Sequence, residues 1–395
     1  MLYLRACGRI FVFLVALAAL AAAVQPVYRV DADTLFLPLD GVALSARTGH
    51  VAWRLPRYQG QTYTDGHGLL LLSWISGITP RLGHRTTSIC RVRTRDGTKL
   101  WCSEESAVHE WVVDASGERL YVHSPGRLEV LTTRDGRHDQ GFHLSDDDAL
   151  TMLPLPTRGL LLLEREHGQV KTAWRYQPGA ATLEPESVPA ALYPFRSEDH
   201  GLLLYAKPKR EFFLAAPFHL LFGHHDEREA PFASAAAFPR ASLTRQGFIF
   251  TDWQGSSPVV RGGNYEGALW QAPRAADDPQ LAVSNRTAMM LEPDGDSSHL
   301  QAWQLDTGAP AFRETLPGTY AFMQAGNGVL VLQSARDIRL LDAVSGAERW
   351  RVSGHQGALA AIAQSSIVFW EDGGSLIALA RRNGALLWRV HFQSF

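Results

Sequence analysis

The feature that most constrains this chain is a short pattern that returns along it. An apolar run ends in a small polar residue and a glycine, and a tryptophan or phenylalanine follows four residues later. In the last part of the chain, the pattern glycines Gly308, Gly346 and Gly384 are 38 residues apart each time. A fixed period of this length is typical of repeat architectures, whose units bury their hydrophobic faces only by stacking on one another.

The repeat also predicts local structure. Its turn glycine and the preceding small polar residue supply a positive-φ turn between two strands. The aromatic residue begins the return strand, and we expect it to fill the space between neighbouring sheets with its indole N–H bonded to a neighbour's backbone. The clear copies are marked by Gly49 with Trp53, Gly97 with Trp101, Gly308 with Phe312, Gly346 with Trp350, and Gly384 with Trp388, and weaker copies end at Gly136 and Trp270.

A second set of apolar runs precedes these copies, for example Gly68 to Trp74 and Asn327 to Gln333. They are too short for typical helices and are bounded by turn-forming residues, so they indicate strands that are buried on both faces. A period near 40 residues with about four strands has the size of one propeller blade. The sequence therefore predicts a single all-β propeller of four-stranded antiparallel blades over residues 24–395. We expect eight blades, with seven or nine as alternatives, because residues 141–263 follow the pattern poorly.

Residues 1–23 have the composition of an export segment. Arg5 and Arg9 precede an unbroken apolar run from Ile10 to Val24, which is the layout of a secretory signal with cleavage after Ala23. The alternative is a retained membrane anchor, although the run is short for spanning about 30 Å of hydrocarbon. Both interpretations predict a protein that is periplasmic or is anchored facing the periplasm.

Cys90 and Cys102 lie symmetrically about the turn at Asp96 and Gly97. On a hairpin they would face each other across neighbouring strands, close enough for a disulfide bond. Export to an oxidising compartment favours the bond. The alternative is two buried free thiols.

Two sets of polar residues are candidates for a site. His224, His225 and Asp226 are weak candidates for metal ligands, but neighbouring histidines on a strand point to opposite faces, and a polar connecting loop is the alternative. The arginines of the recurring Trp-Arg pairs either form an anion-binding ring or pair with carboxylates, and they are Arg54, Arg175, Arg351 and Arg389. With four lysines and no basic run in the sequence, we expect no nucleic-acid partner.

From Val42 to Val390 these repeats resemble those of the PQQ-like (quinoprotein-type) β-propellers. One branch of that family contains quinoprotein dehydrogenases, and another contains non-enzymatic scaffolds such as the lipoprotein subunit of the outer-membrane β-barrel assembly machinery. The dehydrogenase branch implies adjacent cysteines over the quinone, a calcium ion and an Asp base. This chain has no adjacent cysteine pair, so no catalytic residue is carried over from the family.

The resemblance implies an exported scaffold at the bacterial cell envelope, without enzymatic activity or cofactor. We expect it to be a monomer within a complex and to bind a protein or an extended peptide. Membrane contact is expected only through the N-terminal segment if that segment is not cleaved. Residues 211–237 are the candidate partner-specific segment. The alternatives are a PQQ- and calcium-dependent dehydrogenase, or a propeller that binds or cleaves a carbohydrate.

Overall fold

The computed structural model describes residues 26–392, apart from short segments. Every regular element in this part of the chain is a β-strand, and no helix there is long and apolar enough to cross a membrane. The predicted export segment, residues 1–23, and the candidate ligands His224, His225 and Asp226 lie outside the described residues. The internal segments that are not described are 56–60, 79–84, 107, 115, 145–149, 155–158, 167–168, 187–191, 199–200, 207–210, 216–219, 223–239, 245, 255–256, 265–267, 276–278, 355–356 and 372–373.

The described strands form eight antiparallel sheets, which we name S1 to S8 in chain order. S1 contains β1 (Tyr28–Arg29), β2 (Thr34–Leu37), β3 (Val42–Ser45) and β4 (Val51–Arg54). S2 contains β5 (Thr62–Thr64), β6 (Leu69–Ile78), β7 (Arg85–Arg93) and β8 (Lys99–Ser106). S3 contains β9 (Glu110–Val113), β10 (Arg119–Ser124), β11 (Arg127–Thr132) and β12 (His138–His143).

S4 has eight strands, β13 (Leu150–Pro154), β14 (Leu160–Glu166), β15 (Gln169–Tyr176), β16 (Glu184–Glu186), β17 (Leu192–Glu198), β18 (Gly201–Ala206), β19 (Glu211–Ala215) and β20 (Leu220–Phe222). S5 contains β21 (Ala241–Leu243), β22 (Gly247–Gln254), β23 (Ser257–Asn264) and β24 (Leu269–Pro273). S6 contains β25 (Gln280–Val283), β26 (Thr287–Asp294), β27 (Ser297–Gln304) and β28 (Pro310–Pro317). S7 contains β29 (Tyr320–Gly326), β30 (Val329–Ser334), β31 (Asp337–Asp342) and β32 (Glu348–Ser353). S8 contains β33 (Gly357–Ile362), β34 (Ser366–Glu371), β35 (Ser375–Ala380) and β36 (Leu386–His391).

In each four-stranded sheet the strands lie in the order in which they occur along the chain, so each strand pairs with the next through a hairpin. S4 is the exception, because β15 pairs with β16 and also, at Val170 and Leu192, with β17. The all-β class and the eight antiparallel sheets expected of the propeller are confirmed, but S4 has eight strands where a blade of four was expected. The doubled sheet falls in residues 141–263, where the sequence pattern is weakest.

One turn geometry joins the third and fourth strands of the clear copies. The N–H of Gly49 donates to the carbonyl of Ser45 at 2.8 Å, and the N–H of Gly384 donates to the carbonyl of Ala380 at 2.8 Å. Both glycines have φ of 71°, a left-handed value that side chains with a Cβ disfavour. A register shift precedes the aromatic residue in these hairpins, and Trp53 and Trp388 both pair with an alanine on the third strand.

The second and third strands carry most of the core. Strands β26, β30 and β34 each begin with a run of at least four consecutive buried residues. Such runs require cover on both faces of a sheet, which stacked neighbouring sheets provide. This burial explains why the sequence shows continuous apolar runs in place of alternation.

By its contacts the chain divides into two compact units. The first comprises Met1–Trp74, Val92–Leu100 and Val352–Phe395, and the second comprises Ile75–Arg91 and Trp101–Arg351. Within the first unit, S1 and S8 share one core that includes Leu35, Leu44, Val368 and Leu376. The beginning and the end of the described chain therefore pack together in the same unit.

Candidate functional site

The most regular polar contacts in the molecule lie at the junctions between sheets, and we describe these first. In the first unit, Trp388 of S8 is 8% exposed, and its indole N–H donates to the carbonyl of Ala46 in S1 at 2.9 Å. Ser366 of S8 donates its hydroxyl to the same carbonyl at 2.8 Å. Two donors from the last sheet therefore hold the third-to-fourth-strand turn of the first sheet.

The same contact recurs at other junctions. Trp53 of S1 donates to the carbonyl of Thr94 in S2 at 2.5 Å. In the second unit, Trp101 of S2 donates to Thr133 of S3 at 2.9 Å, and Trp270 of S5 donates to Leu305 of S6 at 3.2 Å. Each accepting carbonyl belongs to the residue three positions before the turn glycine. The tryptophan of one repeat is thus bonded to the turn of the next.

Phe312 occupies the tryptophan position in S6 and has no N–H to donate. Its ring lies against Gly346, the turn glycine of S7. The equivalent carbonyl, that of Ala343, accepts a hydrogen bond of 2.7 Å from the hydroxyl of buried Thr287 in S6. The carbonyl is therefore satisfied by another side chain of the same sheet, as a buried backbone acceptor requires.

The turn glycines have a second role, which is to let the aromatic ring approach. A Cβ at Gly49 would lie 2.8 Å from two ring carbons of Trp388, and a Cβ at Gly97 would lie 2.9 Å from Trp53. Real Cβ atoms do not come this close to neighbouring atoms, since interiors are already close-packed. The sequence pattern indicated the turn, but it did not show that the glycine of one repeat faces the aromatic residue of the preceding one.

The predicted disulfide between Cys90 and Cys102 is confirmed. The two residues lie on β7 and β8 with Cα atoms 4.1 Å apart. Cys90 is fully buried, whereas Cys102 is exposed. The bond closes the hairpin whose turn carries Gly97.

A charged network lies within S7. The carboxylate of buried Asp337 accepts a hydrogen bond from the Ser334 hydroxyl at 2.8 Å and forms an ion pair with Arg351. The guanidinium of Arg339, whose side chain is 7% exposed, reaches Glu348 at 3.3 Å and lies over the ring of Tyr320 with its carbon 5.3 Å from the centroid. Each charge in this network has an opposite charge beside it.

The titration behaviour of the network indicates a structural role. Burial by itself would raise the pKa of Asp337, but the Ser334 and Tyr320 hydrogen bonds and the Arg351 charge outweigh it, so the pKa is lowered. Burial, with the Asp337 carboxylate, raises the pKa of Tyr320 to about 12. An ionised carboxylate that is already bound to cations is a poor general base, because its proton affinity is low and its lone pairs are occupied.

The arginines of the Trp-Arg pairs mostly have carboxylate partners. Arg175 lies 2.8 Å from Glu186, and Arg389 lies 2.9 Å from Glu371. Arg351 pairs with Asp337, as described above. Arg54 is exposed. For three of the four pairs the arrangement is therefore that of strand-to-strand ion pairing.

The described residues contain no group of three or more His, Cys, Asp or Glu side chains that could hold a metal ion. Two further carboxylates with lowered pKa values accept hydrogen bonds from turn residues. Hydrogen bonds from Thr98, and then the charge of Arg93, lower the pKa of Asp96 to about 2. A hydrogen bond from Arg349 and the turn N–H groups lower the pKa of Asp342 to about 2.

Comparison with known proteins supports the fold. No individually curated protein matches the chain. The crystal structure of a eukaryotic initiation factor superposes with a TM-score of 0.53 at 8% identity, over 84% of this chain and 88% of that one. Dihydro-heme d1 dehydrogenase NirN gives 0.48 at 12% identity, over 93% and 75% of the two chains. BamB from Moraxella catarrhalis gives 0.33 at 12% identity, over 92% and 98%.

The fold and the inter-sheet junctions define the chain as an all-β propeller built from one repeated sheet-and-turn unit. The particular repeat is given by residues 253–394, which match the family model described as outer membrane protein assembly factor BamB. Within these residues the repeats are similar to the PQQ-like type that the sequence resemblance implied. The matched segment covers β23 and β24 of S5 and all of S6, S7 and S8.

Proposed function

We propose that the protein is an exported, non-enzymatic scaffold that binds a protein partner at the bacterial cell envelope. The observation that carries this proposal is the match of residues 253–394 to a family described as an outer membrane assembly factor. The predicted export segment at residues 1–23 is consistent with it. The mature protein is then periplasmic after cleavage, or is held at a membrane by that segment.

The sheets suit this role because the last strand of each four-stranded sheet pairs with one described strand. Strand β32 has a single neighbour in its sheet, and most of its residues are exposed or half-buried. An extended peptide can add to such an edge through backbone hydrogen bonds, and exposed side chains then select the sequence. A protein or an extended peptide is the partner that this surface accepts, with the propeller as a monomer within the complex.

The electrostatics of the described residues also favour a scaffold. The described carboxylates with lowered pKa values, Asp96, Asp135, Asp337 and Asp342, are bound by arginines or by turn donors within their own sheets. Perturbed titration otherwise marks catalytic groups. Here the cause is the bonding that shapes hairpins, which leaves these groups committed to the fold.

A photo-crosslinking experiment in intact cells tests the scaffold. A photoreactive amino acid replaces Leu269 or Val344, which are 51% and 53% exposed and lie within the family-matched segment. Leu39, which is 58% exposed in S1, provides the matched control. We expect one defined protein adduct from Leu269 or Val344 and none from Leu39, because only the first two positions lie in the segment that matches the assembly-factor family. The protein is also tagged and purified from the same cells. If neither Leu269 nor Val344 gives an adduct and the tagged protein is purified without a bound partner, the scaffold proposal is refuted.

The dehydrogenase alternative is tested separately. The purified protein is titrated with PQQ and calcium, and quinone absorbance and reduction of an electron-accepting dye are followed. A scaffold leaves the absorbance equal to that of free PQQ and reduces no dye. Saturable binding with turnover would make the protein an enzyme and overturn the proposal.

A further inference from the structure

Three turns of the first unit carry an arginine at the same position. In S8, S1 and S2 the residue two places before the turn glycine is Arg382, Arg47 and Arg95 respectively. The side chains of Arg47 and Arg95 are 69% and 84% exposed, and Arg382 is exposed as well. Three guanidinium groups therefore project into solvent from equivalent points of the fold.

The junction contacts place these turns next to one another. The ring of Trp388, which follows the S8 turn, lies against Gly49 in the S1 turn. The ring of Trp53, which follows the S1 turn, lies against Gly97 in the S2 turn. The three arginines therefore follow one another along one edge of the unit.

The turn itself does not require arginine. The same position holds Arg134 in S3, Asp306 in S6 and Val344 in S7. These turns have the same positive-φ glycine and the same bond from its N–H to the carbonyl four residues earlier. Since the geometry accommodates an acid or an aliphatic residue equally well, the arginines of S8, S1 and S2 add charge to the edge without being needed for the turn.

Neighbouring residues leave the edge positive. Arg93, Lys99 and Arg381 add further cations within the same turns and the strand residues next to them. Among the described residues, Asp33 lies 3.2 Å from Arg47, and Asp96 lies 3.1 Å from Arg93 and 3.8 Å from Arg95.

Asp31 and Asp65 lie in the inner loops of the same unit and accept hydrogen bonds from backbone N–H groups of those loops. They also interact with the charge of Arg29. Arg47, Arg95 and Arg382 therefore bring three positive charges to these turns, in a chain whose formal net charge is -2.

Exposed aliphatic side chains stand beside the same turns. Val51 is 45% exposed, Leu100 is 41% exposed, and Leu386 and Leu387 are 53% and 41% exposed. Each lies two or three residues after its turn glycine. Each of the three turns thus combines at least one guanidinium group with at least one apolar side chain.

We propose that this arginine edge, formed by Arg47, Arg95 and Arg382 with Val51, Leu100 and Leu386, docks the protein on a bilayer that contains anionic phospholipids. Guanidinium groups bind phosphate through paired N–H donors, and apolar side chains next to them enter the headgroup region. The groups are exposed on turns, which suits contact with a flat surface. The contact is peripheral and reversible, and it is distinct from any insertion of residues 1–23.

Vesicle flotation tests the proposal with the full chain. Vesicles of phosphatidylcholine are compared with vesicles that also contain about 30 mol% phosphatidylglycerol, at about 0.1 M and about 0.5 M salt. The test variant is R47Q/R95Q/R382Q. The control is R54Q/R313Q/R336Q, which removes the same charge from three exposed arginines elsewhere. Both variants should retain the melting temperature of the wild type, since exposed charges contribute little to stability.

We expect the test variant to lose about 30- to 100-fold in partitioning onto the anionic vesicles, and the control to lose less than about threefold. Binding of the wild type should fall as salt rises. Binding through the apolar N-terminal segment would be common to all variants and insensitive to salt, so the fraction bound at about 0.5 M salt is subtracted before the variants and the vesicles are compared. Equal binding to both kinds of vesicle, or equal loss in both variants, would overturn the proposal. The proposal would also be overturned if the test variant binds the vesicles as well as the wild type does but no longer co-purifies with an acidic protein.

Discussion

Substitution of Gly49 by alanine separates the two roles of a turn glycine. Gly49 has φ of 71° and lies under the ring of Trp388, where a new Cβ would be 2.8 Å from ring carbons. Gly354 is the matched control in the same unit, because its φ is 81° and a Cβ there would meet nothing within 4 Å. Both changes to alanine impose left-handed strain, and only the first also forces two groups together.

The magnitudes differ enough to be measured. Left-handed backbone costs alanine about 1–2 kcal/mol at either position. Overpacking at Gly49 adds about 1–3 kcal/mol, so Gly49→Ala should lower the free energy of unfolding by about 2–5 kcal/mol. Trp388→Ala removes the ring and by itself costs about 3–5 kcal/mol. In the Trp388→Ala background, Gly49→Ala should cost only the strain of about 1–2 kcal/mol.

The assay is a double-mutant cycle in urea, followed by circular dichroism and by hydrogen exchange of the β3–β4 hairpin. Circular dichroism is preferred to fluorescence because the cycle removes a tryptophan. We expect a coupling energy of about 1–3 kcal/mol between the two positions. If Gly49→Ala and Gly354→Ala lower the free energy of unfolding equally, or if the effects of Gly49→Ala and Trp388→Ala add, then Gly49 is needed only for the turn and not for the approach of the Trp388 ring.

Three further predictions rest on other contacts. Trp350→Ala should lower the free energy of unfolding by about 3–5 kcal/mol in a urea titration, because the side chain is buried, and a loss below about 1 kcal/mol would contradict its place in the core. Replacing Cys90 and Cys102 together by alanine removes a disulfide that joins residues 12 apart in the sequence. The free energy of unfolding should fall by about 2–3 kcal/mol, and the wild type under reducing conditions should show a similar decrease. Asp337→Asn should cost about 3 kcal/mol near neutral pH, since the arginines lose their buried counter-ion. Because the folded pKa of Asp337 is below its unfolded value, this difference should hold from about pH 5 upward and shrink below about pH 4 in melts at stepped pH.

The repeat made the fold predictable from the sequence, because a turn glycine and an aromatic residue at fixed spacing define one strand pair. Cys90 and Cys102 could be paired for the same reason, since their symmetry about Gly97 is a local property. The sequence predicted that each tryptophan lies between neighbouring sheets. It did not predict that Trp53 lies against Gly97 of the following copy, because the spacing within one repeat does not show which residues of two repeats meet. The network around Asp337 and Arg339 was not predictable either, because its residues come together only when β31 and β32 pair.

The arginine edge shows another limit of sequence reasoning. Arg47, Arg95 and Arg382 are far apart in the sequence and form no basic run, so a search for charge clusters does not find them. They become neighbours only when the repeats are placed in register and the first and last sheets share a unit. In a repeat fold, the equivalent positions of successive copies are therefore as informative as consecutive residues.

The bond from Trp388 to Ala46 has a consequence for how such chains change length. It joins the last sheet to the first through the same donor, acceptor and glycine that join S1 to S2. An inserted copy would bring its own tryptophan for the sheet ahead and its own glycine for the sheet behind. Tandem gene duplication can therefore add or remove whole blades without a new kind of contact between sheets, because the added copy uses the same contacts as its neighbours.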